Sequence, residues 1–346
     1  MRISQSLYLF NCENYFKSQT RNIVKFEAVQ FLLRMLRNEF LRDSLCKPAV
    51  FFMRLDYFLL VLIALIFTVS CKKSMPDVIK LPEIPAPVPD SVPAAVIPKY
   101  IETNHPVLTA VPGRVTNTIG GYYQSLPAKY DSLTEYKYPL IIFIHGAGQF
   151  GNGQSDLPFV LKEGIPKYIA EKKFPASFEV DSVHHSFIVV APQLSKTITS
   201  AELYPFVKFI KSKYRIDTTR IYISGFSMGG ILVTDAAADH PEEYAALVTM
   251  AGVSKPNAQL NAKCSAIVKA KLPIWVFHNT NDALIDFSEA QTFVNTLNEL
   301  NPAIPPKFTV LSREGPLGHD AWTRATNPEF KVDGINIYEW MLKHKR

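Results

Sequence analysis

The chain has 346 residues, of which 47% are hydrophobic and 20% charged. This is enough apolar material for a large buried core, and a mean hydropathy near zero excludes a polytopic membrane protein. The net charge is +6, but residues 1–71 hold nine Lys/Arg and five Asp/Glu, so the remainder has 28 basic and 26 acidic residues. A nearly neutral body without a basic cluster argues against nucleic acid as a partner.

The segment MRLDYFLLVLIALIFTVSC, residues 53–71, has the layout of an export signal. Its apolar run, residues 57–69, follows a Met-Arg pair and is too short to span a bilayer comfortably. Ser70 and Cys71 then resemble the lipobox of bacterial lipoproteins, with Thr68 in place of the usual Leu. We expect a lipid on Cys71 and an exported protein anchored to the membrane, in the periplasm or at the cell surface. A single membrane-spanning anchor is the alternative.

The regions on either side of this signal differ in character. Met53 is a natural initiation point, so residues 1–52 are interpreted as an upstream extension of the reading frame or as a basic amphipathic segment. Residues 72–104 contain seven prolines between positions 76 and 98, a spacing that favours extended polyproline II. We interpret them as a stiff tether to a folded domain, residues 105–346.

The folded domain alternates strand and helix patterns. An antiparallel start around residues 107–124 is followed by the strand candidates YPLIIFIHG, SFIVVAPQ, RIYISGFS, ALVTMAG, PIWVFHN and KFTVLSRE. Helical patterns lie near residues 157–171, 201–213, 229–239 and 287–300, and in the final GINIYEWMLKHK. This order predicts an α/β fold with a mainly parallel sheet and helices on both faces. The segment between the strands ALVTMAG and PIWVFHN is too short for a large lid.

The stretch GFSMGG has a serine between a strand and a helix. We expect the strand to end at Gly225 and the helix to begin by about Gly229, with Ser227 in the turn. The pattern G-x-S-x-G in that setting is typical of a nucleophile elbow, in which neighbouring chain leaves no room for a Cβ at the glycines.

A serine nucleophile needs a base and an acid, each supplied at the end of a later strand. PIWVFHNTND supplies Asp282 and REGPLGHDAW supplies His319, in the order Ser, Asp, His. Asp286 is the competing acid, but it is better placed to cap the next helix. His278 is expected to pack or hydrogen-bond at the sheet edge.

The oxyanion formed by serine attack needs backbone N–H donors. The N–H of Met228 directly follows the nucleophile, and the N–H of Ala147 lies in the loop HGAGQFG after the first parallel strand. Gly146 and Gly148 allow that loop to turn back.

These motifs resemble the α/β-hydrolase esterases grouped with feruloyl and acetylxylan esterases, polyhydroxybutyrate depolymerases and a set of predicted peptidases. The resemblance covers residues 115–345, with Asn279 standing where that group usually has Gly. It implies a serine hydrolase of carboxylic esters without a cofactor, acting on bulky or polysaccharide-linked esters. It also implies pocket roles for Gln149, Gln193 and Trp322, which as structural residues would instead fill loops.

Three other functions compete with this interpretation. The same machinery would serve a serine peptidase, and a degenerate hydrolase fold would serve a noncatalytic binding lipoprotein. GAGQFG also fits the glycine fingerprint of a dinucleotide-binding oxidoreductase, but NGQSDLP follows it where that fingerprint requires a helix to begin. A metal is not expected because no histidine pair has ligand spacing, and Cys264 is interpreted as a small packing or surface residue.

Overall fold

The computed structural model describes residues 101–312 and 317–346. The predictions for residues 1–52, for the signal ending at Cys71 and for most of the tether therefore lie outside the described residues. The packed domain already includes Glu102, three residues before its predicted start, because this side chain is buried and accepts a hydrogen bond from the N–H of Lys129 at 3.1 Å.

A mixed sheet of eight strands forms the centre of the domain, in the order β1-β2-β6-β3-β7-β8-β9-β10. β1 and β2 pair antiparallel, β2 pairs antiparallel with β6, and all remaining neighbours are parallel. A separate hairpin consists of β4 and β5. The strands are β1 (Val107–Pro112), β2 (Ile119–Leu126), β3 (Tyr138–Ile144), β4 (Phe178–Val180), β5 (Val183–His185), β6 (Ile188–Leu194), β7 (Ile216–Phe226), β8 (Ala246–Met250), β9 (Ile274–Asn279) and β10 (Lys307–Leu311).

Helices cover both faces of this sheet. They are α1 (Gly164–Ala170), α2 (Ser200–Lys213), α3 (Met228–Asp239), α4 (Leu260–Lys269), α5 (Phe287–Glu299), α6 (Trp322–Ala325) and α7 (Ile337–Leu342). Short 3-10 helices occupy Ala147–Gln149, Leu157–Lys162 and Pro241–Glu243. This is the α/β-hydrolase fold that the sequence predicts.

The central strand β3 shows how the sheet holds two cores. Its residues are all buried. Leu140, Ile142 and Ile144 join the cluster that contains the buried sides of α2, α3, α4 and α5. Ile141 and Phe143 join the opposite cluster with α1, α6, α7 and the β4–β5 hairpin. A continuous apolar run is therefore required here, since successive side chains point to opposite and equally buried faces.

Two features of the fold go beyond the sequence patterns. The hairpin of β4 and β5 falls in a stretch for which no strand was predicted. Helix α4 fills the connection between β8 and β9, and its buried Leu260, Cys264 and Ile267 pack on the sheet face. The connection is thus an ordinary crossover helix, and Cys264 is a buried packing residue.

No helix within residues 101–312 and 317–346 is both long and apolar enough to cross a membrane.

Candidate active site

Ser227 occupies a strained turn between a strand and a helix. β7 continues through Phe226, one residue past its predicted end, and α3 begins at Met228. Ser227 has φ +54° and ψ −125°, a backbone conformation that residues other than glycine rarely adopt. Its N–H donates to the carbonyl of Met250 at 2.8 Å, so the end of β8 holds the turn in place.

Glycines surround this turn because backbone passes within contact distance of their Cα atoms. A Cβ on Gly225 would lie 2.7 Å from the carbonyl oxygen of Gly229 and 2.9 Å from that of Ile144. A Cβ on Gly252, which follows β8, would overlap the carbonyl oxygen of Ser227 itself. The elbow is therefore packed against the ends of both β3 and β8.

The three residues predicted to form a triad lie in one hydrogen-bonded row. The Ser227 hydroxyl donates to His319 Nε2 at 2.8 Å, and His319 Nδ1–H donates to Asp282 Oδ2 at 2.7 Å. The carboxylate accepts only, so the imidazole proton resides on Nδ1 and leaves Nε2 as the acceptor for the serine proton. His319 is 5% exposed, whereas Ser227 is half-buried and reachable from solvent.

The Asp282 side chain is fully buried and has four donors around it. Its Oδ1 accepts from the N–H groups of Leu284 at 2.9 Å and Ile285 at 3.0 Å. Its Oδ2 accepts from His319 and also lies 3.3 Å from His278 Nε2. Burial raises the pKa of Asp282, but the hydrogen bonds from the two histidines outweigh burial and hold that pKa well below its usual range.

Asp286 has a different task, as its position before a helix predicts. It is the N-cap of α5, and its Oδ1 accepts from the N–H of Ser288 at 2.7 Å. Asp282 is thus the carboxylate that the fold directs to His319.

Two backbone N–H groups of segments next to the elbow have no acceptor within residues 101–312 and 317–346. Among the described residues, neither Met228 nor Ala147 donates its N–H to a backbone or side-chain oxygen. Met228 is the first residue of α3, where the helix dipole adds positive potential. Ala147 begins the 3-10 turn after β3, and the carbonyl of His145 two residues earlier faces Gly229 in α3. Both donors therefore belong to segments that meet at the elbow.

His145 holds the loop that carries Ala147. Its Nε2 accepts from the N–H of Leu194 at 2.9 Å, and its Nδ1–H donates to the carbonyl of Gly146 at 2.7 Å. The side chain is buried, and burial lowers the pKa of His145 to about 4, against the opposing effect of the Gly146 hydrogen bond. A neutral imidazole therefore ties the end of β3 to the end of β6.

Gln193 holds the loop after β3 through hydrogen bonds to its backbone. Its side chain is fully buried. Nε2 donates to the carbonyls of Gln149 at 3.0 Å and Asp156 at 2.7 Å, and Oε1 accepts from the N–H of Gly153 at 2.8 Å. These three bonds occupy both donors and the oxygen of the side chain, which favours the loop-filling alternative, and the pocket role stays a prediction. Gln149 is 5% exposed, with an Oε1 that has no partner among the described residues.

Trp322 lies against the triad. Its ring contacts His319 edge-on at 5.2 Å between centroids and packs at 4.3 Å from Phe226. Its Nε1–H donates to Glu163 Oε2 at 3.0 Å. Burial raises the pKa of Glu163 above its usual value, although the Trp322 hydrogen bond opposes this. Trp322 is therefore a wall of the site behind the imidazole, and Glu163 is a neighbouring carboxylate that the sequence patterns did not single out.

Asn279 joins the two strand exits that carry the acid and the base. It is the last residue of β9, and its side-chain Nδ2 donates to the carbonyl of Gly318 at 2.7 Å. The N–H of Ala283 also donates to the carbonyl of Leu317 at 2.9 Å. The amide at position 279 is thus a cross-link beside His319.

Within residues 101–312 and 317–346, no group of three or more His, Cys, Asp or Glu side chains is arranged to hold a metal ion.

Comparison with known proteins identifies the family to which the chain belongs. A model of the phospholipase/carboxylesterase family matches residues 132–322, more than half of the chain. The chain belongs to that family. The esterase-type α/β-hydrolase resemblance carried by the sequence motifs is confirmed.

This phospholipase/carboxylesterase domain has a curated relative of much greater length. It is 32% identical over 90 residues to the bifunctional acetylxylan esterase/xylanase XynS20E of Neocallimastix patriciarum. The match covers 26% of this chain and 12% of that relative.

Solved structures of similar proteins include a thermostable esterase and a feruloyl esterase module. The first has 24% identity and a TM-score of 0.49, covering 71% of this chain and 64% of that chain. The second, from Clostridium thermocellum and complexed with sinapinate, has 13% identity and a TM-score of 0.46, covering 68% of this chain and 91% of that module.

Proposed function

We propose that the domain is a serine esterase in which Ser227, His319 and Asp282 act as a catalytic triad. The observation that carries the proposal is the continuous row of hydrogen bonds from Ser227 through His319 to Asp282, at 2.8 and 2.7 Å. Membership of the phospholipase/carboxylesterase family supports it.

Catalysis would proceed through an acyl enzyme. Ser227 Oγ attacks the ester carbonyl while His319 Nε2 takes its proton, and Asp282 stabilises the resulting imidazolium. The N–H groups of Met228 and Ala147 receive the developing oxyanion, and the imidazolium then protonates the departing alcohol. A water molecule activated by the same imidazole releases the acid. In this second step His319 takes a proton from the water and returns it to Ser227 Oγ, which restores the free enzyme.

The substrate class is part of the proposal. We infer an ester carried by a bulky alcohol, such as an acyl group on a polysaccharide. The half-buried Ser227 and the exposed Gly148 support an open approach to the nucleophile. The name of the curated relative, which includes acetylxylan esterase, also supports this class.

Fluorophosphonate labelling tests the nucleophile. We expect the wild type to be labelled and Ser227→Ala to be inert. Ser224→Ala is the matched control, because Ser224 is a fully buried serine of β7, three residues before Ser227, whose Oγ has no partner among the described residues. It should label at the wild-type rate, and labelling that survives Ser227→Ala would exclude the proposed nucleophile.

Substrate panels then decide the reaction. Aryl acetates, feruloyl esters and acetylated xylan should be turned over, and chromogenic peptides should not. Turnover of peptides alone would assign the triad to a peptidase. No turnover of either, with intact labelling, would indicate an ester outside the panel.

We further propose that the protein is exported and anchored through a lipid on Cys71. The apolar segment with a final Ser-Cys pair, residues 53–71, supports this localisation. Metabolic labelling of the expressing bacterium with an alkyne fatty acid should mark the wild type and Cys264→Ala but not Cys71→Ala. Equal labelling of all three proteins would contradict the anchor.

A further inference from the structure

His278 lies beside the proposed triad with no role in the reaction described above. Its side chain is fully buried at the end of β9, and its Nε2 lies 3.3 Å from Asp282 Oδ2 and 3.0 Å from the carbonyl oxygen of Ile285. Both neighbours are acceptors, so Nε2 carries the proton, which it donates to the Ile285 carbonyl with the Asp282 carboxylate close beside it. Nδ1 is buried and has no partner among the described residues.

Asp282 Oδ2 therefore faces two imidazole N–H groups, because it accepts the hydrogen bond of His319 Nδ1–H at 2.7 Å and lies 3.3 Å from His278 Nε2. The two donors differ in what they do during catalysis. His319 gains and loses a proton on Nε2, whereas His278 has no contact with Ser227 among the described hydrogen bonds. His278 therefore supplies an N–H near Oδ2 that takes no part in the proposed proton transfer.

We propose that His278 is a positioning residue, whose Nε2–H fixes the Asp282 carboxylate and moderates its pull on the His319 proton. The inference rests on the proposed triad. It extends the triad to a fourth side chain, which orients the acid as the acid orients the base.

The electrostatic consequence has a definite sign. A second donor on Oδ2 spreads the negative charge of Asp282, so this carboxylate stabilises the His319 imidazolium less than a carboxylate without it. Removing the donor concentrates that charge on the oxygen that faces His319, so the imidazolium is stabilised more strongly. Since the doubly protonated imidazole cannot accept the Ser227 proton, activity is lost earlier as the pH falls.

Few other charges face this group in the described part of the chain. Asp286 lies in the same connection after β9 and interacts electrostatically with both His278 and Asp282. The residue paired with His278 on β10 is the uncharged Val310, and the neighbour from α5 is the ring of Phe287 at 6.0 Å between centroids. Asp286 is unchanged in the variants below, so its contribution cancels.

Two substitutions of similar shape separate the hydrogen bond from the packing. His278→Gln keeps an N–H donor within reach of Asp282, and His278→Met has nearly the same length without a donor. Melting temperatures of both variants establish that they are folded. The readout is the fluorophosphonate labelling rate as a function of pH, which requires no knowledge of the natural substrate.

We expect the acid-side midpoint of the labelling profile to move up by about 0.5 to 1 pH unit in His278→Met. Below the midpoint this corresponds to a rate about three to ten times lower than that of the wild type. His278→Gln should keep the wild-type midpoint.

An unshifted midpoint in a folded His278→Met protein would overturn the inference, as would equal rate losses in both variants without a shift. A wild type that is not labelled at all would instead reject the proposed function. Failure of the positioning role and failure of the triad are therefore distinguishable.

Discussion

Replacing Gly252 with alanine should disable the proposed nucleophile although no residue of the triad is substituted. Gly252 follows β8, and its φ lies outside the left-handed region, so alanine is conformationally acceptable there. The new Cβ, however, would overlap the Ser227 carbonyl oxygen and lie 3.0 Å from the Ser227 carbonyl carbon and 3.3 Å from its Cα. All three atoms are backbone and cannot rotate away.

Relief of this overlap requires a displacement of about 1 Å at Ser227 or Gly252. If Ser227 moves, its hydrogen bond to His319, now 2.8 Å, is stretched beyond the range in which such bonds are effective. Misplacement by about 1 Å typically lowers a rate about 100-fold, equivalent to about 2.7 kcal/mol of barrier. We expect that loss in kcat/KM for an aryl ester and in the fluorophosphonate labelling rate.

Gly334→Ala provides the control for a general loss of stability. Gly334 has φ +79° and no atoms within 4 Å of its Cβ position, so alanine there adds backbone strain but no overlap. Both variants should melt at lower temperature than the wild type, and only Gly252→Ala should lose activity. A folded Gly252→Ala protein within threefold of wild-type kcat/KM would refute the steric argument.

Three further predictions concern the groups around the site. Asp282→Asn should lower the labelling rate by about 10³ to 10⁴, because the amide favours the wrong imidazole tautomer, and melting curves should show an intact fold. Since the pKa of His145 is lowered to about 4, its stabilising contribution is present above pH 6.5 and lost as the pH falls toward 4. The free energy of unfolding, measured with urea, should therefore fall less between pH 6.5 and pH 4 in His145→Gln than in the wild type. The difference should be on the order of 3 kcal/mol. Because the pKa of Glu163 is raised, the folded state loses stability as the pH rises above about 4.5. Glu163→Gln can still accept the hydrogen bond of Trp322 but cannot ionise. The decrease in melting temperature from pH 4 to pH 7 should therefore be smaller in this variant than in the wild type.

The sequence predicted the elements that carry strong local signals. The elbow at Ser227 combines a buried strand, flanking glycines and an alanine-rich, mostly buried helix within residues 216–239, so its conformation follows from local patterns. Asp282 and His319 follow strands in the order that the fold dictates, and the parallel sheet brings strand exits to one edge. The hydrogen-bonded row of Ser227, His319 and Asp282 could therefore be predicted from the sequence.

The supporting residues could not be found in this way, because their partners are distant in the chain. Gln193 bonds to positions 40 and 44 residues earlier, and Asn279 bonds to a carbonyl 39 residues later. A glutamine or asparagine at a strand end carries no local signal for such bonds. The resemblance indicated a pocket residue at 193, and complete burial of its amide gives it a structural role.

His278 and Glu163 illustrate a second limit. Each is a titratable residue whose importance comes from one neighbour, Asp282 for the histidine and Trp322 for the glutamate. His278 lies four residues before Asp282 in the sequence, but the two side chains meet only because the chain turns back after β9 and brings the carboxylate to the imidazole. Periodicity cannot supply that information.

The backbone at Ser227 has an evolutionary consequence. A residue held at φ +54° costs the folded state on the order of 1 kcal/mol, which glycine at the same position would recover. Random substitution at this codon can thus yield a more robust but inert protein. Under the proposed function, a serine is retained there because selection for turnover acts against selection for thermal stability.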